Sequence, residues 1–233
     1  QGLADRAAPD KTTGHVDDFD EFQHDVAAVM AHVRAAGLPE PYHILGHSMG
    51  GCIGLRALMD GLPVASAAFS APMWGLVISP GVRQFAWAFS TVGVQLGLRY
   101  SVAPGQRPIE SPGILAFEDN LLTDDREQFD YFQNQIKAHP ELGLGNASLG
   151  WLNASLREMR DLARPPAPDV ACATFLGAAE AIVEPRAIQT RMAGWAKGEL
   201  TVLDGARHEV HLETKPARDI SIQGAAKLFT QNS

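Results

Sequence analysis

The sequence predicts an α/β fold built around a mostly parallel sheet. Along much of its 233 residues, short apolar stretches alternate with segments of helical periodicity. This alternation is typical of parallel strands that are covered by helices on both faces. Apolar residues make up 45% of the chain and charged residues 20%, as in soluble globular proteins and unlike disordered or fibrous ones. We therefore expect one α/β domain with an inserted lobe.

The elements of this fold are predicted in order from periodicity and from turn residues. Residues 17–37 have apolar positions at helical spacing and an acidic first turn, which predicts an amphipathic helix with one face on the core. Four buried strands follow, and helices come after the first, third and fourth of them. The predicted strands are residues 41–48, 63–72, 170–177 and 199–205, and the helices begin near residues 49, 185 and 215.

The alternation lapses between residues 73 and 168, where three helical stretches occur without a clear strand. An insertion of this size between two core strands predicts a helical lid, with prolines at both ends. We expect three segments: residues 1–72 form the first part of the core, 73–168 the lid and 169–233 the second part of the core. The apolar lid residues either line a ligand-binding groove or form the lid's own core; they are Trp74, Phe85, Trp87, Phe89, Leu96, Leu98 and Trp151.

Composition also excludes several classes of protein. The net charge of −8 without a basic block disfavours a nucleic-acid partner, and no apolar stretch approaches the length of a membrane span. Cys52 and Cys172 lie in apolar runs, which predicts two buried thiols, a reducing compartment and hence a cytoplasmic protein. Because the chain opens on a loop-like stretch at Gln1, the start resembles an interior position, and a signal peptide would lie upstream.

Residues 46–50, Gly-His-Ser-Met-Gly, lie between a predicted strand and a predicted helix. In this context the pattern predicts a nucleophile elbow, in which a strained turn lifts the hydroxyl of Ser48 above the sheet. Gly46 and Gly50 are expected to supply the space that the turn needs, and Gly51, Gly54 and Ala57 to let the following helix lie close to the sheet. The alternatives are an ordinary Gly-rich turn and a phosphate loop, although the lysine of a phosphate loop is missing.

A serine nucleophile needs a base, and the base needs a carboxylate that orients it. His208 follows the fourth predicted strand and is the expected base, with His211 as the rival; His47 is expected to point away from Ser48. The segment His-Glu-Val-His is one residue short of a zinc-protease motif, so no metal is expected. Glu180 follows the third strand and is the expected acid, and Glu184 and Asp169 are the alternatives.

The backbone N–H of Met49 is the expected donor to the oxyanion. A second donor normally comes from a loop after an earlier strand, which would precede residue 1. Loss of one donor typically costs ~10²- to 10³-fold in rate, so this chain is expected to be an impaired catalyst. The chemistry requires no metal or organic cofactor.

Five segments, in order, resemble the monoacylglycerol lipase and lysophospholipase branch of the α/β-hydrolase superfamily: QGLADR, DFDEFQHDV, LGHSMGG, FSAPMWG and GARHEVHLE. The resemblance implies an α/β-hydrolase fold, of which this chain holds the later strands and the helical lid. It also implies Ser48 as the nucleophile, His208 as the base and Glu180 at the position where the branch usually has aspartate. The implied substrate is a small lipid ester, a monoacylglycerol or a lysophospholipid.

Two other functions stay open at this point. One is a carboxylesterase of the same fold that acts on short esters, and the other is a non-catalytic binding protein that retains the elbow as architecture. Contact of the lid with a membrane surface is a further expectation, and the sequence leaves the oligomeric state open.

Overall fold

The structure, a computed structural model, describes residues 3–5, 7–104 and 113–233. Within these ranges four strands form one parallel sheet whose strand order follows the chain. The strands are β1 (His43–His47), β2 (Ser66–Ser70), β3 (Ala171–Gly177) and β4 (Gly198–Leu203). All four predicted strands and their parallel pairing are therefore confirmed. Three of the six residues of the segment QGLADR, which was compared with a family loop, lie outside the described residues.

The helices follow the predicted order. They are α1 (Glu21–Ala35), α2 (Met49–Met59), α3 (Pro80–Gln95), α4 (Arg126–Ala138), α5 (Leu149–Leu162), α6 (Pro185–Ala193) and α7 (Lys215–Gln231). Short 3₁₀ turns lie at Phe117–Asp119, Pro140–Leu142 and Val210–Leu212. The order of strand and helix around β1, β3 and β4 is that of a parallel α/β sheet.

The chain divides into two compact units. The unit that holds the sheet comprises Phe22–Val77, Leu121–Asp125 and Met159–Ser233. All five residues of the inner strand β2 are buried, and α7 packs on the sheet through Ala217 and Ala225, in a cluster that includes Phe175. A parallel strand between two others is expected to be buried on both faces.

The other unit comprises the described parts of Gln1–Glu21, Ile78–Asn120 and Arg126–Glu158. Here α3 and the start of α5 approach closely, since a Cβ on Gly93 would lie 2.4 Å from Leu149 Cδ2. Asn153 on α5 donates hydrogen bonds to the hydroxyls of Ser90 and Thr91 on α3. The predicted limits at residues 72 and 168 stay a prediction.

The expectation that α1 places one face on the core is met only in part. The helix forms, but none of its residues is fully buried. The apolar stripe of Phe22, Val26, Met30 and Val33 is only half-buried, and Val29 at its edge is 60% exposed. Helical periodicity predicts that apolar residues share a face, whereas burial depends on what the face meets.

The apolar residues of the predicted lid divide between two environments. Trp74 is buried within the unit that holds the sheet. Its indole N–H donates to the carbonyl of Gly51, and its ring stacks on that of Trp195. Phe85 and Phe89 on α3 stack on each other but remain 63% and 41% exposed. Among the described residues, no helix has the length and apolar character to span a membrane.

Candidate active site

Ser48 occupies the turn between β1 and α2. Its φ of 50° and ψ of −116° are sparsely populated for a residue with a side chain. Hydrogen bonds hold the turn on both sides: Ser48 N–H donates to the carbonyl of Ser70 at 3.0 Å, and Ser48 C=O accepts from the N–H of Met73 at 2.8 Å. The predicted strand, tight turn and helix are therefore all present at this serine.

The glycines around this turn differ in what they make possible. A Cβ on Gly46 would lie 2.8 Å from the carbonyl oxygen of Gly50, and one on Gly51 would lie 2.5 Å from the Cβ of Pro72. A Cβ on Gly50 would meet nothing within 4 Å. The expectation that Gly50 supplies space for the turn is wrong, because a side chain at this position would not collide with any neighbouring residue. Gly51 carries the close approach instead.

Glu180 and His208 form a hydrogen-bonded pair on the loops that follow β3 and β4. His208 Nδ1 lies 2.7 Å from Glu180 Oε2, and the two side chains are 5% and 0% exposed. The other carboxylate oxygen, Oε1, accepts the backbone N–H groups of Ile182 and Val183. The carboxylate is thus fixed at both oxygens, which leaves His208 with a defined ring orientation.

The pKa of the Glu180 carboxyl lies below its usual range. Burial alone raises this pKa, but the hydrogen bond and charge of His208, together with the N–H groups of Ile182 and Val183, outweigh it. Glu180 is therefore ionised at neutral pH and can accept the N–H of the imidazole.

Gly177, the last residue of β3, lets the two loops approach. A Cβ there would lie 2.2 Å from the carbonyl oxygens of both Ala206 and Arg207. Ala179 N–H, two residues further on, donates to the Ala206 carbonyl at 2.9 Å. Sequence reasoning missed this requirement, although a glycine at the end of a strand is a recognised signal of close backbone approach.

The structure places the alternative residues elsewhere. His211 Nδ1 pairs with the hydroxyl of Ser221 at 3.0 Å, and burial lowers the pKa of this imidazole. Glu184 is the residue at the N-terminal cap of α6, and Asp169 pairs with Lys197 with 85% of its side chain exposed. The two histidines of the His-Glu-Val-His segment thus have different partners, Glu180 for the first and Ser221 for the second.

His47 was set aside by sequence reasoning, but its ring contacts the predicted base. The ring centroids of His47 and His208 lie 4.9 Å apart with an interplanar angle of 59°. Since His47 directly precedes Ser48, the contact brings His208 against the end of β1. His47 Nε2 lies 3.0 Å from Glu209 Oε1, so a second histidine–carboxylate pair adjoins the first. No local pattern in the sequence signals this contact.

Glu213 anchors the loop that carries His208. This carboxylate is 1% exposed. One oxygen accepts the N–H groups of Asp124 and Arg207, and the other accepts that of Thr214. Leu122 contributes as well, because its carbonyl accepts the N–H of Glu209 at 2.7 Å. The segment Leu121–Asp125 is thereby bound to the histidine loop.

Comparison with known proteins gives a family match and two named relatives. Residues 2–215 match the family described as Serine aminopeptidase, S33. Lysophospholipase L2 of Escherichia coli strain K12 is 28% identical over 250 residues, in an alignment that covers 100% of this chain and 70% of that protein. Probable lysophospholipase L2 of Haemophilus influenzae is 23% identical, with 94% of this chain and 68% of that protein covered.

Solved structures show the same architecture. A soluble variant of monoglyceride lipase from Saccharomyces cerevisiae superposes with a TM-score of 0.68 at 17% identity, over 97% of this chain and 74% of that one. The monoacylglycerol lipase of Paleococcus ferrophilus gives 0.67 at 16% identity, over 93% and 77% of the two chains. The fold is that of the α/β-hydrolases. The chain belongs to the Serine aminopeptidase, S33 family.

Proposed function

We propose that this chain is a serine hydrolase that cleaves carboxylic esters of lipids, with monoacylglycerols or lysophospholipids as substrates, through an acyl-enzyme. The observation that carries the proposal is the buried Glu180–His208 pair, whose ring contacts the residue before Ser48. A strained serine beside an oriented imidazole is the arrangement that acyl transfer requires.

The reaction proceeds in two steps. The oxygen of Ser48 attacks the ester carbonyl carbon while His208 takes the hydroxyl proton, and Glu180 stabilises the imidazolium that forms. The tetrahedral intermediate collapses, the bond to the alcohol breaks, and His208 returns the proton to the leaving alcohol. Water, deprotonated by His208, then attacks the acyl-enzyme and releases the fatty acid and the free serine.

The oxyanion of the intermediate needs donors that are in place before the reaction. Met49 is the first residue of α2, directly after the nucleophile. We propose that its backbone N–H is one donor, supported by the partial positive charge at the start of a helix.

The substrate class is supported by the relatives. The relative from Escherichia coli is named lysophospholipase L2 and that from Haemophilus influenzae probable lysophospholipase L2, and two of the structural neighbours are a monoglyceride lipase and a monoacylglycerol lipase. A chain of the same family and fold is proposed to act on the same chemical class, a small lipid ester.

The test combines labelling with turnover. A fluorophosphonate probe should label the wild-type protein at Ser48, as located by mass spectrometry, and hydrolysis should be faster for a long-chain monoacylglycerol or lysophospholipid than for an acetyl ester. Ser48→Ala should lower turnover by at least about 10⁴-fold, because the nucleophile is lost. Its thermal melting should match wild type, since alanine fits the same turn.

The other outcomes identify the alternatives. Faster hydrolysis of acetyl esters would indicate a short-chain carboxylesterase. No labelling at Ser48, under conditions that label a control lipase, would indicate a non-catalytic binding protein and overturn the proposal.

We further propose that the protein contacts membranes or lipid aggregates through α3. The helix carries one charged residue, Arg83, and an exposed apolar stripe at helical spacing formed by Val82, Phe85, Phe89, Val92 and Leu96. An exposed apolar stripe of this kind is typical of surfaces that bind partners or lipid.

A further inference from the structure

We propose that Glu209 and His47 form a positioning pair for His208, which holds its imidazole ring in place and stabilises the imidazolium formed during attack by Ser48. The inference rests on the proposed function of Ser48 and His208. It assigns a role to two residues that do not themselves touch the reacting atoms.

The ring of His47 is held at both nitrogens. Nε2 lies 3.0 Å from Glu209 Oε1, and Nδ1 lies 3.1 Å from the carbonyl oxygen and 3.0 Å from the hydroxyl of Ser70. Ser70 belongs to the inner strand β2, all of whose residues are buried, so this end of the ring is bound to the interior of the sheet. A ring with partners at both nitrogens cannot rotate without breaking at least one hydrogen bond.

This fixed ring forms one side of the environment of His208. The two imidazoles are tilted at 59° with centroids 4.9 Å apart, which is the range of favourable aromatic contact. Glu180 holds His208 at Nδ1. The His47 ring therefore limits the rotation and tilt that a single hydrogen bond would still allow.

Glu209 is fixed through its backbone as well as its side chain. Its N–H donates to the carbonyl of Leu122 at 2.7 Å, while its carboxylate reaches His47 on β1. Since Glu209 directly follows His208, both contacts act on the backbone of the base.

The charge of Glu209 supports the second part of the proposal. Burial raises the pKa of the Glu209 carboxyl. The hydrogen bond and charge of His47, together with the charges of His208 and His211, lower this pKa by more than burial raises it, so the net shift is downward. The carboxylate is therefore ionised. The ionisable groups that act on this site include Glu180 after β3, His47 at the end of β1, and Glu209 and His211 on the loop of His208.

The consequence concerns the proton transfer. When the O–H bond of Ser48 breaks, the proton passes to Nε2 of His208 and the oxygen lone pair forms the new bond to the substrate. The ring then carries a positive charge, and Glu209 adds a second negative charge beside it. A carboxylate near a developing cation lowers the energy of the transition state and favours the protonated ring.

The experiment measures the rate of fluorophosphonate labelling of Ser48 between pH 5 and 9. Glu209→Gln keeps a hydrogen-bond acceptor for His47 but removes the charge. We expect labelling about 3- to 10-fold slower at high pH, with the acidic limb of the profile moved to lower pH by about half a unit or more, because the imidazolium is less stabilised. Glu199→Gln removes one negative charge from an exposed position on β4 and should behave as wild type.

A second variant tests the part played by the ring. His47→Phe retains an aromatic ring against His208 but lacks both hydrogen bonds, and should also label more slowly. Thermal melting of each variant separates loss of fold from loss of position. Damage to the fold alone would slow labelling at every pH without moving the acidic limb.

Three results would overturn the inference. The first is a Glu209→Gln profile that coincides with that of Glu199→Gln. The second is a Glu209→Gln variant that labels more slowly but has the same acidic limb as wild type. The third is a His47→Phe variant that labels like wild type. If wild-type Ser48 is not labelled at all, the proposed function itself fails and the inference falls with it.

Discussion

At the level of single residues, buried carboxylates carry distinct tasks around the loop of His208. Glu180 binds the imidazole of His208, whereas Glu213 accepts the backbone N–H groups of Asp124, Arg207 and Thr214. Both are almost completely removed from solvent, where an unpaired charge would be costly. The cost of burying these two charges is therefore offset by the hydrogen-bond partners that the fold provides.

Glu213→Ala should destabilise the protein by about 2 to 4 kcal/mol, because it leaves three backbone N–H groups without their acceptor. Glu213→Gln retains a carbonyl oxygen and should lose less. Urea denaturation followed by circular dichroism measures both. Equal stability of wild type and the alanine variant would show that the loop relaxes and finds other acceptors.

Single residues also show which parts of the site local sequence patterns predict and which they miss. Ser48, His208 and Glu180 were predicted because each follows a predicted strand in the order that the fold requires. The structure pairs Glu180 with His208, while the catalytic roles of all three, and of Met49, stay predictions. His47 and Glu209 were missed because their contact depends on how two distant segments meet.

At the level of elements, the start of α2 packs closely against the chain that follows β2. Gly51 lies against Pro72, and Gly54 lies against the ring of Phe69. A Cβ on Gly54 would lie 3.1 Å from Cε1 of Phe69. Adjacent Gly50 has no such neighbour. The two neighbouring glycines provide a matched pair for testing which position the turn depends on.

Gly51→Ala should destabilise the protein by about 1 to 3 kcal/mol, because the new Cβ would overlap the backbone and side chain of Pro72. Gly50→Ala should be neutral or stabilising by up to about 1 kcal/mol, since alanine favours helix over glycine. Thermal and urea unfolding of the two variants measure the difference. The reverse order of stability would contradict this account of the turn.

The helix α1 shows where element prediction stops. Its periodicity predicted its existence, and the helix is present, but its apolar stripe is only half-buried. A helical pattern depends on local spacing, whereas burial depends on neighbours that are distant in sequence.

At the level of the whole molecule, the apolar stripe on α3 gives the proposed lipid contact a defined surface. Phe85→Glu together with Phe89→Glu should reduce co-sedimentation with phosphatidylcholine vesicles at least about fivefold, because charged side chains oppose insertion of the stripe. The control is Ile220→Glu with Ile222→Glu, at two exposed positions on α7. Equal loss in both double variants would show that the effect is not specific to α3.

The sequence by itself determined the alternating strands and helices, the strained serine between β1 and α2, and the order of the acid and base after it. These features follow from local periodicity, glycine positions and the direction of parallel strands. Only the tertiary structure decided that Gly50 is not crowded and that Glu209 binds His47. Both depend on how segments far apart in the chain meet, and no local pattern in the sequence signals that.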